Sequence, residues 1–204
     1  MRLLSLISGG KDSWYSYYLM MQSGLDIPII VTFIPKNPES YMLQCAFVDK
    51  VPMQVKNIKN PPKHYVFEVS GKKEEEIIEM KNHLKKIVKL ENIEGIISGA
   101  ILSEYQKQRI DFICEELGII SYAPLWRKDQ EALIKEIVLE SGFEFIIADT
   151  CADGIEKWKG KRITIHSLEA FIKDLKKAQA NLSGEGGEYE SFVAKCPFFE
   201  VLDI

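Results

Sequence analysis

Eleven residues near the start of the chain, Leu3 to Ser13 (LLSLISGGKDS), constrain its fold more than any other stretch. Leu3 to Ile7 is a short, mostly apolar run suited to a buried strand. Ser8, Gly9 and Gly10 break it. Asp12 and Ser13 are N-cap types, and Trp14 to Met21 continues as a helix with large apolar residues. Strand, glycine turn and helix start together make an anion site. The first N–H groups of a helix have no partner inside it, and the helix dipole adds partial positive charge. Gly9 and Gly10 allow backbone angles and close approach that a side chain would forbid. Ser8 and Ser13 supply hydroxyls and Lys11 a cation, so a phosphate group fits the turn best.

The spacing matches neither G-x-x-x-x-G-K-[ST] nor G-x-G-x-x-G. Downstream, Ile27 to Ile34 is nearly all apolar and β-branched, the mark of a strand buried on both faces. Tyr41 to Ile58 shows no clear period, although Pro52 is placed to start a helix. Tyr65 to Val69 reads as a third strand. Lys73 to Leu90 is a helix with Ile77, Met80, Leu84, Ile87 and Val88 on one face. Ile93 to Ser98 is a fourth strand that exits at Gly99. A helix runs from Ser103 or Glu104 to Leu117, and Gly118 caps it. Ile119 to Tyr122 is a fifth strand, Asp129 to Ser141 a helix and Phe143 to Ala148 the next strand.

This alternation predicts an α/β fold: a Rossmann-like, doubly wound parallel sheet with right-handed crossovers. Ligands bind such sheets at the carboxyl ends of strands, which directs attention to residues 8–13, 33–44 and 98–109. From Thr150 the character changes. A short strand at Arg162 to Ile165, a helix at Leu168 to Ala180 and closing strands at Phe192 to Ala194 and Phe198 to Leu202 surround a second glycine cluster. The chain is therefore divided into a nucleotide-binding domain, 1–125, and a smaller α+β substrate-recognition region, 126–204.

The 204 residues carry a net charge of −4 with no basic cluster, which argues against electrostatic binding of nucleic acid. No apolar run reaches membrane-spanning length, and Met1-Arg2 leads straight into a strand without a signal peptide, so a cytoplasmic protein is expected. Cys45, Cys114, Cys151 and Cys196 are scattered, form no CxxC pair and read as reduced thiols. His64, His83 and His166 show no metal-ligand spacing with them.

The second glycine cluster, Gly184 to Ser191 (GEGGEYES), places Glu185, Glu188 and Glu190 among three glycines. Carboxylates so close repel one another unless solvated, ligated or paired. An exposed acidic loop is one reading. A loop that recognises a cationic or amide-bearing substrate, or helps hold Mg²⁺, is the other, and Tyr189 and Phe192 favour a packed segment.

SGGKDS resembles the PP-loop, S-G-G-x-D-[ST], of the ATP pyrophosphatases. With NPESYM after the second strand, SGAILSEYQKQRI after the fourth, APLW after the fifth and GEGGEYESFV near the end, the chain resembles one branch of that superfamily over almost its whole length, the diphthine–ammonia ligases. Gln44 stands where the family often has histidine, and Glu156 to Gly160 is an altered segment. The resemblance implies ATP-dependent amidation of diphthine on translation elongation factor 2, with ATP and Mg²⁺ as cofactors and ammonium as nitrogen source. It implies neither a nucleic-acid nor a membrane partner, and leaves homo-oligomerisation open.

In that reading Lys11, Asp12 and Ser13 are catalytic. Ser8, Gly9, Gly10, Lys11, Asp12, Ser13, Phe33, Gly99 and Arg109 hold the nucleotide. Ser103, Tyr105, Gly184, Glu185, Gly186, Gly187, Glu188 and Tyr189 face the substrate. Glu185, Glu188 and Tyr189 suit its trimethylammonium group. Asp12 is either a Mg²⁺ ligand or a helix N-cap. Phe33 either takes the adenine or packs in the core. Arg109 either clamps a phosphate or pairs with Asp111 or Glu115. Trp126 either stacks on a ligand or caps the core. A tRNA-modifying PP-loop enzyme and a non-catalytic ATP-binding sensor are the competing classes.

Overall fold

The computed structural model describes residues 1–202. Strand β1 (Arg2–Leu6) enters the glycine turn, and helix α1 (Lys11–Gln22) leaves it. Then follow β2 (Asp26–Pro35), α2 (Val51–Lys56), β3 (Lys63–Val69), α3 (Glu75–Glu91), β4 (Gly95–Ile97), α4 (Glu104–Leu117) and β5 (Ile120–Tyr122). The five strands form one parallel sheet in the order β3-β2-β1-β4-β5. The order reverses at β1, where the chain returns to lay β4 on its other side. A crevice opens there between the carboxyl ends of β1 and β4, the expected ligand position in such a sheet.

Local sequence accounts for most boundaries. Pro52 lies in the first turn of α2, where a missing N–H costs nothing. Pro28 sits inside β2, and the pairing register slips there, from Arg2 opposite Asp26 to Leu4 opposite Ile29. Ser103 caps α4 by accepting from Gln106 N, and Gly118 ends it in the left-handed conformation. Asp12 and Ser13 are not caps. Gly10 takes that position, and both residues lie in the first turn of α1.

The sixth strand departs from expectation. β6 (Glu144–Thr150) does not extend the parallel sheet. It is the centre of a separate antiparallel sheet, β7-β6-β8, with β7 (Arg162–Ile163) and β8 (Tyr189–Lys195). Helix α5 (Gln130–Lys135), which continues as a π-helical turn over Glu136–Glu140, precedes it, and α6 (Leu168–Lys177) follows β7. The expected closing strand at Phe198 to Leu202 is reduced to a bridge between Cys196 and Phe199, because Pro197 interrupts the pairing.

Two apolar cores lie on the two faces of the main sheet. Leu4, Ile29, Val31 and Ile96 pack with α3 and α4 on one face. Leu3, Ile7, Ile30 and Ile97 pack with α1 on the other, and this core continues through Phe143, Phe145, Phe171 and Phe192 of the C-terminal part. The antiparallel sheet therefore shares its core with α1. That is why Trp14, Tyr15 and Tyr17 of α1 are all buried.

At the edge of the main sheet, Thr32 Oγ1 donates to the Ile7 carbonyl at 2.8 Å and lies 2.9 Å from His64 Nε2. The ring nitrogen facing Thr32 therefore carries the proton. Burial lowers the His64 imidazole from 6.5 to about 4. Below pH 6.5 the unfolded chain binds a proton that the folded ring refuses. Stability should fall as pH drops from 6.5 towards 4, and His64→Gln should flatten that part of the curve in urea melts taken across the range. A slope unchanged by the substitution would refute this assignment.

Candidate functional site

A cleft of about 480 Å³ opens at the carboxyl ends of β1, β2 and β4. One wall is apolar, with Leu6, Val31, Phe33, Met80 and Ile110. The floor is the glycine turn. Ser13 Oγ donates to the Gly10 carbonyl at 3.0 Å and accepts from Ser8 N at 3.3 Å, which fixes the turn from within. The opposite wall is the 183–191 segment, reached through β8.

Gly9 and Gly10 are required by packing. Gly9 has φ +92°, and a Cβ there would meet the Phe192 ring at 2.9 Å. A Cβ on Gly10 would lie 2.7 Å from Gln44 Oε1. Gly99 serves the crevice itself, since a Cβ there would come within 2.8 Å of Ser13 N. The exit of β4 thus lies directly against the start of α1. Neither Gly9 nor Gly10 lines the cleft; Gly99 does.

Lys11 is the electrostatic centre. Its side chain is 2% exposed, and Nζ donates to Asp12 Oδ2 at 2.8 Å and to the Ser183 carbonyl at 2.5 Å. Nζ also lies 5.0 Å from the centre of the Tyr189 ring. Burial opposes its charge, but Asp12, then Tyr189 and Glu185, outweigh burial and hold the ammonium above the ordinary lysine range. Burial pushes the Asp12 carboxyl up, and Lys11 partly offsets that. Burial also pushes Tyr189 up to about 12, so its hydroxyl stays neutral and donates to the Leu182 carbonyl at 2.8 Å.

Asp12 Oδ1 is buried without a hydrogen-bond partner. Among the described residues no three His, Cys, Asp or Glu side chains gather to hold a metal by themselves. An orphaned carboxylate oxygen at the cleft floor fits a Mg²⁺ held mainly by phosphate and water oxygens.

The structure brings Ser8, Lys11, Asp12, Ser13, Phe33, Gly99, Ser103, Tyr105, Gly184, Glu185, Gly186, Gly187 and Tyr189 to the cleft. It does not bring Arg109 or Glu188 there. Arg109 Nη2 pairs with Glu74 Oε1 at 2.5 Å, and its guanidinium stacks 4.2 Å over the Tyr105 ring. Its expected partner Asp111 is taken by Lys107. Glu188 accepts from Asn181 N, Asn181 Nδ2 and Gly186 N, bracing its own turn. Trp126 is half-buried beside the fully buried Leu125 and does not line the cleft.

Sequence reasoning gives no individual role to Tyr41, Gln44, Ser98, Ser183, Glu190 or Ser191, although all but Ser183 lie in segments it singles out, and all six line the cleft. Gln44 Nε2 donates to the Ser191 carbonyl at 2.9 Å while its Oε1 accepts from Ser8 Oγ at 3.2 Å. Ser191 Oγ accepts from Lys11 N at 3.2 Å. The signal available beforehand was the motif NPESYM itself, followed closely by Gln44.

Residues 1–121 match the family model described as the diphthamide synthase N-terminal domain, and residues 129–202 match the diphthamide synthase C-terminal domain. The chain belongs to the diphthamide synthase family. It is similar to the diphthine–ammonia ligase of Danio rerio, with 31% identity over 98% of this chain and 84% of the relative. The Homo sapiens protein of the same name is also 31% identical, over 98% of this chain and 81% of its own length. The Saccharomyces cerevisiae protein is 27% identical over 98% of this chain, which spans 34% of that longer relative. A solved structure titled as a predicted subunit of a tRNA methyltransferase from Methanocaldococcus jannaschii aligns over 97% of this chain and 98% of that one, at 12% identity and a TM-score of 0.46.

In this member of the diphthamide synthase family, Gln54 locks the glycine turn to the C-terminal sheet. Its fully buried amide donates to the Gly9 and Val193 carbonyls at 3.1 and 2.8 Å and accepts from Trp14 Nε1 at 2.9 Å. Gln54→Leu removes all three of these hydrogen bonds, although the Gly9 carbonyl keeps Val193 N, and should cost about 2 kcal/mol in urea unfolding. A loss below about 0.5 kcal/mol would show that the lock is not structural.

Proposed function

We propose that the protein converts the diphthine carboxylate of translation elongation factor 2 to the amide, diphthamide. ATP and ammonium are consumed, and AMP and pyrophosphate are released. The observation that carries this reading is the meeting of the two glycine motifs on one buried cation: Lys11, from SGGKDS, is bonded to Ser183 at the edge of GEGGEYES. A nucleotide-binding turn and a second loop thus face each other across one cleft, in a chain of the diphthamide synthase family.

The chemistry follows from the leaving group. A carboxylate is a poor acyl donor because oxide would have to leave. Attack of its oxygen on the α-phosphorus of ATP breaks the bond to the β-phosphate, releases pyrophosphate and gives an acyl-adenylate. Ammonia then attacks the acyl carbon and AMP departs with the former carboxylate oxygen. Ammonium gives up one proton to become the attacking ammonia, and the nitrogen loses a second as AMP leaves and the amide forms.

The chain's own groups answer the charge that develops. Two of the three Lys11 donors are engaged within the protein, which leaves one for a phosphate oxygen. The start of α1 adds its partial positive charge at the same place. Both are fixed before reaction, the arrangement that stabilises developing charge most effectively. Asp12 Oδ1 would hold a Mg²⁺, which when bound supplies further neutralisation of the phosphates. The apolar wall around Phe33 suits the adenine.

Release of AMP and pyrophosphate should depend on elongation factor bearing diphthine. Release stimulated only by RNA, or ATP binding without turnover, would overturn the reading. Lys11→Met should lower turnover about 100-fold or more while circular dichroism still shows a folded chain. Near-normal turnover in that variant would remove Lys11 from the phosphate role.

A further inference from the structure

At the mouth of the cleft two tyrosines face a cation. The rings of Tyr41 and Tyr105 lie 6.2 Å apart in an edge-to-face arrangement, and both line the cleft. Lys73 Nζ sits 4.5 Å from the Tyr41 centroid and 5.5 Å from that of Tyr105. Tyr41 is 67% exposed although it is a large aromatic residue. Among the described residues the Lys73 ammonium makes no hydrogen bond or ion pair, so the two rings are its only partners. Its N–H groups face solvent and the protein meets it only through ring faces, a contact that an ammonium without N–H groups makes equally well. Recognition of N-methylated ammonium by aromatic faces has this form.

The surroundings keep the pair in place. Tyr105 OH donates to Glu74 Oε1 at 3.2 Å, and Glu74 also holds Arg109 against the Tyr105 ring. Ser40, beside Tyr41, donates to Glu76 Oε2 at 2.7 Å and accepts from Met42 N and Leu43 N, so the loop carrying Tyr41 is tied to the first turn of α3. Lys73 itself is an exposed side chain one residue before the α3 cap at Glu74, free to swing into solvent at little cost.

We propose that the Tyr41–Tyr105 pair receives the trimethylammonium group of the substrate, and that Lys73 holds its place in the free protein. This rests on the reading of diphthine as substrate. It moves recognition of that cation away from Tyr189, which is buried and already engaged with Lys11.

Titration with tetramethylammonium chloride tests the slot without turnover. The ring resonances of Tyr41 and Tyr105 should shift saturably. Ammonium chloride at equal ionic strength should not move them, and Tyr41→Leu should abolish the response. Rings that ignore tetramethylammonium, or respond equally to ammonium, overturn the proposal. In kinetics, Tyr41→Leu should raise KM for diphthine-bearing elongation factor about tenfold and leave KM for ATP unchanged. Lys73→Met should lower the protein-substrate KM by removing the internal competitor. An unchanged protein KM in Tyr41→Leu also overturns the slot. If wild-type protein saturates with tetramethylammonium yet releases no AMP with diphthine-bearing factor, the slot stands and the diphthine reading fails.

Discussion

Lys11 is almost wholly removed from water, and an ammonium in that position is tolerable only when its partners are already in place. Those partners come from both ends of the chain: Asp12 beside it and the Ser183 carbonyl from the C-terminal loop. Neither end can move without leaving a buried charge unmatched. The cleft therefore has a fixed floor and one fixed wall. This explains why α1 is buried nearly all round, with the parallel sheet on one side and the antiparallel sheet on the other. An amphipathic helix with one wet face would leave Lys11 open to solvent, and its charge would be screened.

The glycines reinforce this closeness. A phosphate-binding turn ordinarily needs glycine so that a ligand can approach. In this chain Gly9 also lets Phe192 of β8 lie against the backbone, and Gly10 makes room for Gln44. The Val193 N–H donates to the Gly9 carbonyl, so β8 is hydrogen-bonded to the turn itself. A side chain at Gly9 would press on the Phe192 ring of β8, and one at Gly10 would displace the Gln44 amide. The same residues thus answer a packing demand that the turn motif does not reveal.

Most of what depended on neighbours in sequence was legible there, the cap of α1 excepted, where Gly10 stands in place of Asp12 or Ser13. The five parallel strands, the cap at Ser103, the stop at Gly118 and the position of Pro52 follow from short-range chemistry. What depended on distant partners was not. The apolar run of β6 has the burial of a sheet-centre strand, but periodicity says nothing about which strand lies beside it. Arg109 illustrates the same limit at the site. Asp111, two residues on, lies on a different helix face, whereas the true partner, Glu74, arrives from the loop before α3. Glu188 was visible as a charge, but the N–H groups that absorb it belong to a turn whose shape the sequence does not reveal.

The three glutamates of the second glycine motif show how charge is allotted in the cleft. Side by side they would repel, but each is directed to backbone donors of a different segment. Glu185 Oε1 accepts from Ile101 N, Leu102 N and Ser103 N, just before α4. Glu190 accepts from Cys45 N and Ala46 N, and Glu188 from its own turn. Carboxylates placed on such donors make strong, charge-assisted bonds that fix where their charge sits, and that of Glu185 is already directed at Lys11. They act as struts that join the loop to the exits of β2 and β4. By our proposal, a cationic substrate is met instead at the rim. There the faces of Tyr41 and Tyr105 would attract it without adding a further carboxylate to a segment that already carries three.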